Sequence, residues 1–369
     1  MTKDNYNYGI SCLRIISMIF ITILHIYGHG GLLASLTTPS QIAASQLLYT
    51  LAYCGVNCFA IISGFVGYKH DNQKVNYSRW LTLWFQVAFY SAGITLIFMI
   101  LNHPDITLKQ LILSCIPVTS YQYWYFTAYT GMILLMPLIH LIIKNTDKTK
   151  AIQIILTGTI FFSCYGFIAN RYSNTFDLNH GYSVIWLCFL YYIGSTIKKY
   201  NLHKKVPVSY SIIILIASWL ITYAWKIFVP NIIGNLSNLF ITYLSPTMLA
   251  IAISLVLIFS NLQFKPKLEK GICLLNDSSF SIYLIQEENL IRTFAIINRF
   301  TFLATGTPYF IPIYVIGIAI SIFTIGTLLD QIRVLVFKIL HINELSNKII
   351  TFFMSIYDKT CDYIIKPLQ

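Results

Sequence analysis

The sequence predicts an all-α integral membrane protein: a bundle of about ten transmembrane helices with both termini cytoplasmic. Three observations carry this. Of 369 residues, 56% are hydrophobic and only 10% are charged, against about 45–50% and about 25% in an ordinary soluble domain. A water-facing surface needs the charge that is missing here. Apolar runs long enough to cross a bilayer, ~20 residues, recur along the whole chain, near 9–28, 47–68, 80–101, 123–143, 151–169, 182–197, 210–229, 242–260, 272–296 and 310–337. With ten such spans, 19 of the 25 lysines and arginines fall on the side that holds both termini, five fall on the other, and Arg14 lies within the first span. That asymmetry follows the positive-inside rule. The net charge of +12 is then a topology signal, and no nucleic-acid partner is expected.

The first run reads LRIISMIFITILHIYGHG and contains two ionisable groups, Arg14 and His25. Eleven residues at about 100° each is about three turns plus 20°, so both side chains share one helix face, ~16 Å apart along the axis. Ionisable groups inside a span are costly and by default mark function. Two bland readings stand beside this one: Arg14 snorkelling to the inner headgroups, and His25 hydrogen-bonded within the bundle.

The second run, CFAIISGFVGY, places Ser63 and Gly64 where small residues let helices approach closely. The inner connection after it, KHDNQKVNYSRW, carries Lys69, Lys74 and Arg79, a landing site for phosphate groups. The fourth run opens with Trp124, Tyr125 and Tyr129. The connections on the far side, near 29–46, 102–122, 170–181 and 297–309, mix aromatic with polar residues, as sugar-contacting loops do and as interfacial anchors also do. Cys54 and Cys58 share a helix face, but four-residue spacing with no second pair or nearby histidine points to buried thiols, and no metal is expected.

The ninth run, NDSSFSIYLIQEENLIRTFAI, lines up Ser279, Tyr283, Gln286, Glu287 and Leu290 by helical spacing. Glu287 and Glu288 lie at about the depth of His25. A carboxylate on one imidazole nitrogen would orient the ring and leave the other nitrogen for chemistry. Glu287 falls on the stripe and is the candidate, with Glu288–Arg292 as an alternative i,i+4 structural pair. Residues 1–340 thus form the transmembrane domain. Residues 341–369 form a cytoplasmic tail in which Leu345, Ile349, Phe352, Phe353 and Ile356 recur at amphipathic spacing, as in a helix lying on the inner leaflet.

Together these segments resemble the acyltransferase-3 family of bacterial integral membrane acyltransferases, in its stand-alone form. The likeness rests on Arg14 and His25 with ten residues between them in the first span, FAIISGF after YCGVN, YWYFTAY…LLMPLI, and the late SFSIYLIQ, in the family's order from residue 9 to about 290. Two positions depart from the family pattern: Gln286 stands where many members have histidine, and Arg79 stands alone where an arginine pair is common.

The resemblance implies a multi-pass protein of the bacterial plasma membrane. It implies O-acylation, most often acetylation, of a hydroxyl on a surface or lipid-linked polysaccharide from cytoplasmic acyl-CoA. Acetyl-CoA is then a co-substrate with no permanently bound cofactor, and other glycan-synthesis or export proteins are conceivable partners. His25 takes the base role, oriented by Glu287, and Arg14, Arg79 and Lys74 hold the CoA phosphates. Ser63, Trp124, Tyr125, Ser279, Tyr283 and Gln286 line the site. The rival reading is a polysaccharide or lipid-linked-sugar transporter, in which the buried Arg, His and Glu relay protons.

Overall fold

Several helices begin where a side chain caps the first turn. The computed structural model describes residues 6–69, 75–101, 106–120, 122–229 and 236–365, and helices make up nearly all of them, with no strand among the described residues. The Asn7 side chain accepts from the Ile10 amide at 2.9 Å and donates to the Ser260 carbonyl at 2.8 Å. It thereby starts α1 (Tyr8–Tyr27) and ties it to the end of a later helix. Thr38 and Gln41 form a reciprocal capping box that starts α2 (Pro39–Ala52). After a break at Tyr53 and Cys54 the chain continues as α3 (Gly55–Gly67). Then follow α4 (Tyr77–Ile100), α5 (Trp124–Asn145) and α6 (Lys148–Gly158). A π-helical stretch, Thr159–Tyr165, extends α6 to Ala169. The remaining long helices are α7 (Val184–Lys199), α8 (Val208–Phe228), α9 (Pro246–Phe259), α10 (Pro266–Glu287), α11 (Ile311–Ile339) and α12 (Ile342–Ile365).

Among the described residues, seven helical stretches are long and apolar enough to cross a membrane: α1, the α2–α3 pair, α4, α5, α6 with its extension, α8 and α11. Three predicted spans differ, each for a readable reason. Helix α7 has 16 residues and α9 has 14, and both are largely buried among their neighbours. Helix α10 has 22 residues but carries Lys267, Glu269, Lys270, Asn276, Asp277, Gln286 and Glu287. The predicted ninth run, 272–296, also ends earlier than its hydrophobicity implies, because Glu288 leaves the helical conformation (φ −60°, ψ 129°). The predicted run 47–68 is two helices rather than one.

Helices α3 and α7 cross with their backbones nearly in contact. A Cβ at Gly64 would overlap the Tyr191 carbonyl, and one at Gly194 would overlap the Ile61 carbonyl. Backbones this close let the Ser195 hydroxyl donate to the Gly64 carbonyl at 3.0 Å. Packing of small residues is the main source of helix association where apolar burial gives no advantage over lipid.

A polar clamp holds a second corner. Asp330 of α11 is fully buried. It accepts from Tyr90 of α4 at 2.6 Å, from Ser281 of α10, and from both Nε and Nη2 of Arg333 at 2.7 and 2.8 Å. Both carboxylate oxygens thus have partners, and one partner is a cation, which is the condition for keeping a charge inside. Helix α12 packs against α4 and leaves Phe352, Phe353 and Tyr357 exposed.

Two stability outcomes follow. Gly194→Val has to push α3 and α7 apart and costs about 1–3 kcal/mol or more, read as a lower thermal midpoint in detergent. Gly271→Val, where an added Cβ meets nothing within 4 Å, leaves that midpoint nearly unchanged. Asp330→Ala strands the Arg333 charge and costs about 3–5 kcal/mol, checked in the same melt.

Candidate active site

Helices α1 and α10 pack side by side, and their polar residues meet at two levels. At one end the Arg14 guanidinium donates to Asn276 Oδ1 at 3.0 Å. At the other, His25 meets Gln286 and Glu287. His25 follows Arg14 by eleven positions and Glu287 follows Asn276 by eleven, so the two helices run parallel with their polar positions in register.

The hydrogen bonds around His25 fix its tautomer. Thr22 lies one turn below His25 and gives its only hydroxyl proton to the Met18 carbonyl at 3.0 Å. It therefore accepts from the Gln286 amide nitrogen at 2.9 Å, which fixes which way that amide points. Gln286 Oε1 then faces His25 Nδ1 at 3.1 Å. Because an amide oxygen only accepts, Nδ1 carries a proton. The sequence leaves one imidazole nitrogen free; in the structure that nitrogen is held by Gln286. The nitrogen able to exchange a proton is Nε2, which faces Glu287 Oε1 at 2.9 Å.

The two adjacent acids have separate tasks. Glu287 Oε2 accepts from Arg292 Nη1 at 3.1 Å, and Arg292 also donates to Asn289 at 2.9 Å. Glu288 points elsewhere. Its Oε2 accepts the Leu290 and Ile291 amides at 2.7 and 3.0 Å, capping the next helical turn, and its Oε1 accepts from Gln122 at 3.2 Å. The alternative Glu288–Arg292 pair does not form: Arg292 bonds to Glu287. His25 and Glu287 are 9% and 6% exposed, so the pair works largely away from water, where its electrostatics are strongest.

These groups open onto a cavity of about 350 Å³ lined by His25, His29, Glu287 and Arg292 on one side and by an aromatic wall on the other. Trp124 and Tyr243 lie nearly parallel, 18° between planes. Tyr182 sits 4.4 Å from Trp124 and 5.1 Å from Tyr243, and Tyr53 sits 5.0 Å from Tyr243. Tyr125 and Tyr283 complete that wall. The cavity has the size and the mixed apolar-polar lining of a small-molecule site. His25, His29 and Glu287 also bring one ligand atom each within 4.8 Å of one another. Nε2 and Oε1 are at hydrogen-bonding distance, and the Arg292 guanidinium on the same carboxylate opposes a second positive charge there.

Of the residues picked from sequence, His25, Glu287, Trp124, Tyr125 and Tyr283 line this cavity, and Gln286 supports it from behind. Ser63 and Ser279 do not: their hydroxyls bond back to the Phe59 and Leu275 carbonyls, both at 2.9 Å. Arg14 stands at the opposite end of α1. Arg79 lies within electrostatic reach of it, and Tyr129 within reach of both. Among the described residues no carboxylate is ion-paired with either arginine. Lys74 falls outside the described residues. Sequence reasoning missed His29, Tyr49, Tyr53, Tyr182 and Tyr243. The second histidine of HIYGH, one turn after His25, was a usable signal; the tyrosines had none beyond being aromatic.

Compared with known protein families, residues 7–326 match the acyltransferase-3 model, described as an acyltransferase domain. No curated protein and no solved structure matches the chain.

The arrangement is checked by ¹⁵N spectra of the histidine rings. His25 should be protonated at Nδ1 in the wild type. That signal should shift in Gln286→Leu and persist in Glu288→Gln, because the Glu288 carboxylate bonds to the next helical turn and to Gln122 and not to His25.

Proposed function

Because the chain belongs to the acyltransferase-3 family, we propose that it moves an acyl group, most simply acetyl, from acyl-CoA to a hydroxyl of a surface or lipid-linked polysaccharide. The observation that carries the proposal is the layout of α1. A cation with no carboxylate partner among the described residues stands at one end, and a histidine–glutamate pair in an aromatic-walled cavity stands at the other. Multi-pass membrane insertion, supported by the apolar helices, gives those two ends two different aqueous compartments.

In this reading ten segments span the bacterial plasma membrane. α7, α9 and α10 complete the count, both termini are cytoplasmic, and α12 rests its exposed phenylalanines on the inner leaflet. Arg14 and Arg79 then face the cytoplasmic donor and hold its phosphates by charge-assisted hydrogen bonds. The pantetheine arm, a long thin chain, reaches along the α1–α10 seam toward His25.

The chemistry requires a base for the incoming hydroxyl and a proton for the leaving thiolate. With Nδ1 committed to Gln286, proton exchange runs through Nε2: in this reading the acceptor hydroxyl enters beside Nε2, takes the place of the Glu287 contact, and meets there the lone pair of a neutral, Nδ1-protonated His25. The sugar hydroxyl gives its proton to Nε2 as its oxygen attacks the thioester carbonyl. The imidazolium so formed is stabilised by Glu287, which Arg292 holds in place. Collapse of the tetrahedral intermediate breaks the C–S bond, and Nε2 returns the proton to sulfur. Acyl-CoA and an alcohol become free CoA and an ester. The cavity donor best placed for the oxyanion is Arg292.

The test is the amount of base-labile acyl ester on surface glycans of a deletion strain restored with wild type or variant, read by proton NMR at matched protein abundance. His25→Ala should lower transfer by about 10²–10⁴-fold. Arg79→Ala should raise the KM for acyl-CoA with little change in kcat. A normally folded His25→Ala protein with full transfer activity would overturn the proposal.

A further inference from the structure

Beside the His25 cavity lies a second one, of about 450 Å³. Tyr49 and Tyr53 line both. They sit one turn apart near the end of α2, so the two cavities are neighbours that share these rings. The second cavity also contains Gln46, Lys226 and Asn238.

Two features mark it as a binding site. Gln46 is 5% exposed, and its amide oxygen has no hydrogen-bond partner among the described residues. A buried acceptor left unpaired costs about 1–3 kcal/mol, so a donor from outside the protein is favoured there. Lys226, in the last turn of α8, has its ammonium 2.6 Å from Asn238 Oδ1 and 3.4 Å from Ser237 Oγ. Both partners are neutral, and among the described residues no carboxylate pairs with it. Trp219, two turns earlier on α8, donates to the Leu47 carbonyl at 3.0 Å, which fixes α8 against α2 and holds Lys226 and Gln46 on the same cavity.

From this geometry we infer that the second cavity is a subsite for an anionic sugar unit of the acceptor, next along the chain from the unit that is acylated. Lys226 pairs with a carboxylate or phosphate on that unit, Gln46 accepts from one of its hydroxyls, and Tyr49 and Tyr53 face its ring. The inference rests on the acyltransferase reading for the word acceptor; the binding itself does not.

The experiment uses the full chain in phosphatidylcholine nanodiscs, with methyl glucuronide and methyl glucoside as probes and saturation-transfer NMR as the readout. Glucuronide should bind about ten-fold more tightly than glucoside. Lys226→Met should remove that preference, and Lys226→Arg should keep it. Gln46→Leu should weaken both probes. Equal binding of the two sugars, or an unaltered preference in Lys226→Met, overturns the inference. So does loss of glucuronide binding when phosphatidylglycerol is added to the nanodiscs, which would give the cavity to a lipid headgroup. Acyl-CoA-dependent transfer is assayed on the same variants. Transfer without a charge preference defeats the subsite alone, and a charge preference without transfer defeats the acyltransferase reading alone.

Discussion

The contact between His25 Nε2 and Glu287 Oε1, 2.9 Å apart, is the feature around which the rest of the bundle is arranged. Two ionisable groups this deep in an apolar helix bundle are tolerated only when each has a partner and every remaining polar atom is satisfied. Glu287 has two partners, His25 and Arg292, at 2.9 and 3.1 Å. His25 has two, Glu287 and Gln286. Gln286 passes the requirement on to Thr22, and Thr22 to a backbone carbonyl. The chain of donors ends there with no group left over. This works only if α1 and α10 keep one register, because a shift of a single residue would turn each side chain by about 100°. The Arg14–Asn276 bond at the far end is a second point of the same register.

Register is in turn protected by the frame. The α3–α7 crossing, with backbones too close for a Cβ, and the Asp330 clamp joining α4, α10 and α11 use the two means of helix association that lipid leaves available: small-residue packing and buried hydrogen bonds. Ser281 joins the clamp to the site. It lies on α10 less than two turns before Gln286, and it takes a hydrogen bond from Gln86 while giving its own proton to Asp330. The helix that carries Gln286 and Glu287 is thus held from a face other than the one that does the chemistry.

Much of this was legible in the residues. Composition and apolar runs are enough for an all-α membrane bundle, because a chain short of charge cannot cover its many ~20-residue apolar segments with a water-facing surface. Helical spacing was enough to put Arg14 and His25 on one face and to prefer Glu287 over Glu288. What stayed hidden was what depends on a partner far along the chain. Asp330 reads as an isolated acid in an apolar run until Tyr90 and Ser281 are seen beside it. Tyr49, Tyr53, Tyr182 and Tyr243 come from three separate segments, and only folding brings them to one wall. Ser63 stood out beside Gly64 as a small residue and Ser279 by its place on the Glu287 stripe, yet a serine in a helix readily returns its proton to the carbonyl four residues back, and both do.

Gln286 shows why the identity of one neutral residue matters to the proposed chemistry. An imidazole at that position would bring a third titratable group within hydrogen-bond reach of His25, and the proton on Nδ1 would then have somewhere to go. An amide has no such freedom. Its nitrogen is committed to Thr22 and its oxygen to Nδ1, so the Nδ1 proton is confined and the only mobile proton of the pair lies on the Nε2 side. That side faces Glu287 and the cavity. A base whose proton moves through one nitrogen only can collect it from an alcohol and return it to a leaving group in the same cavity, with no leak through the back of the ring. The neutrality of Gln286 therefore turns a buried histidine, ordinarily ambiguous between its two nitrogens, into a group with one working face.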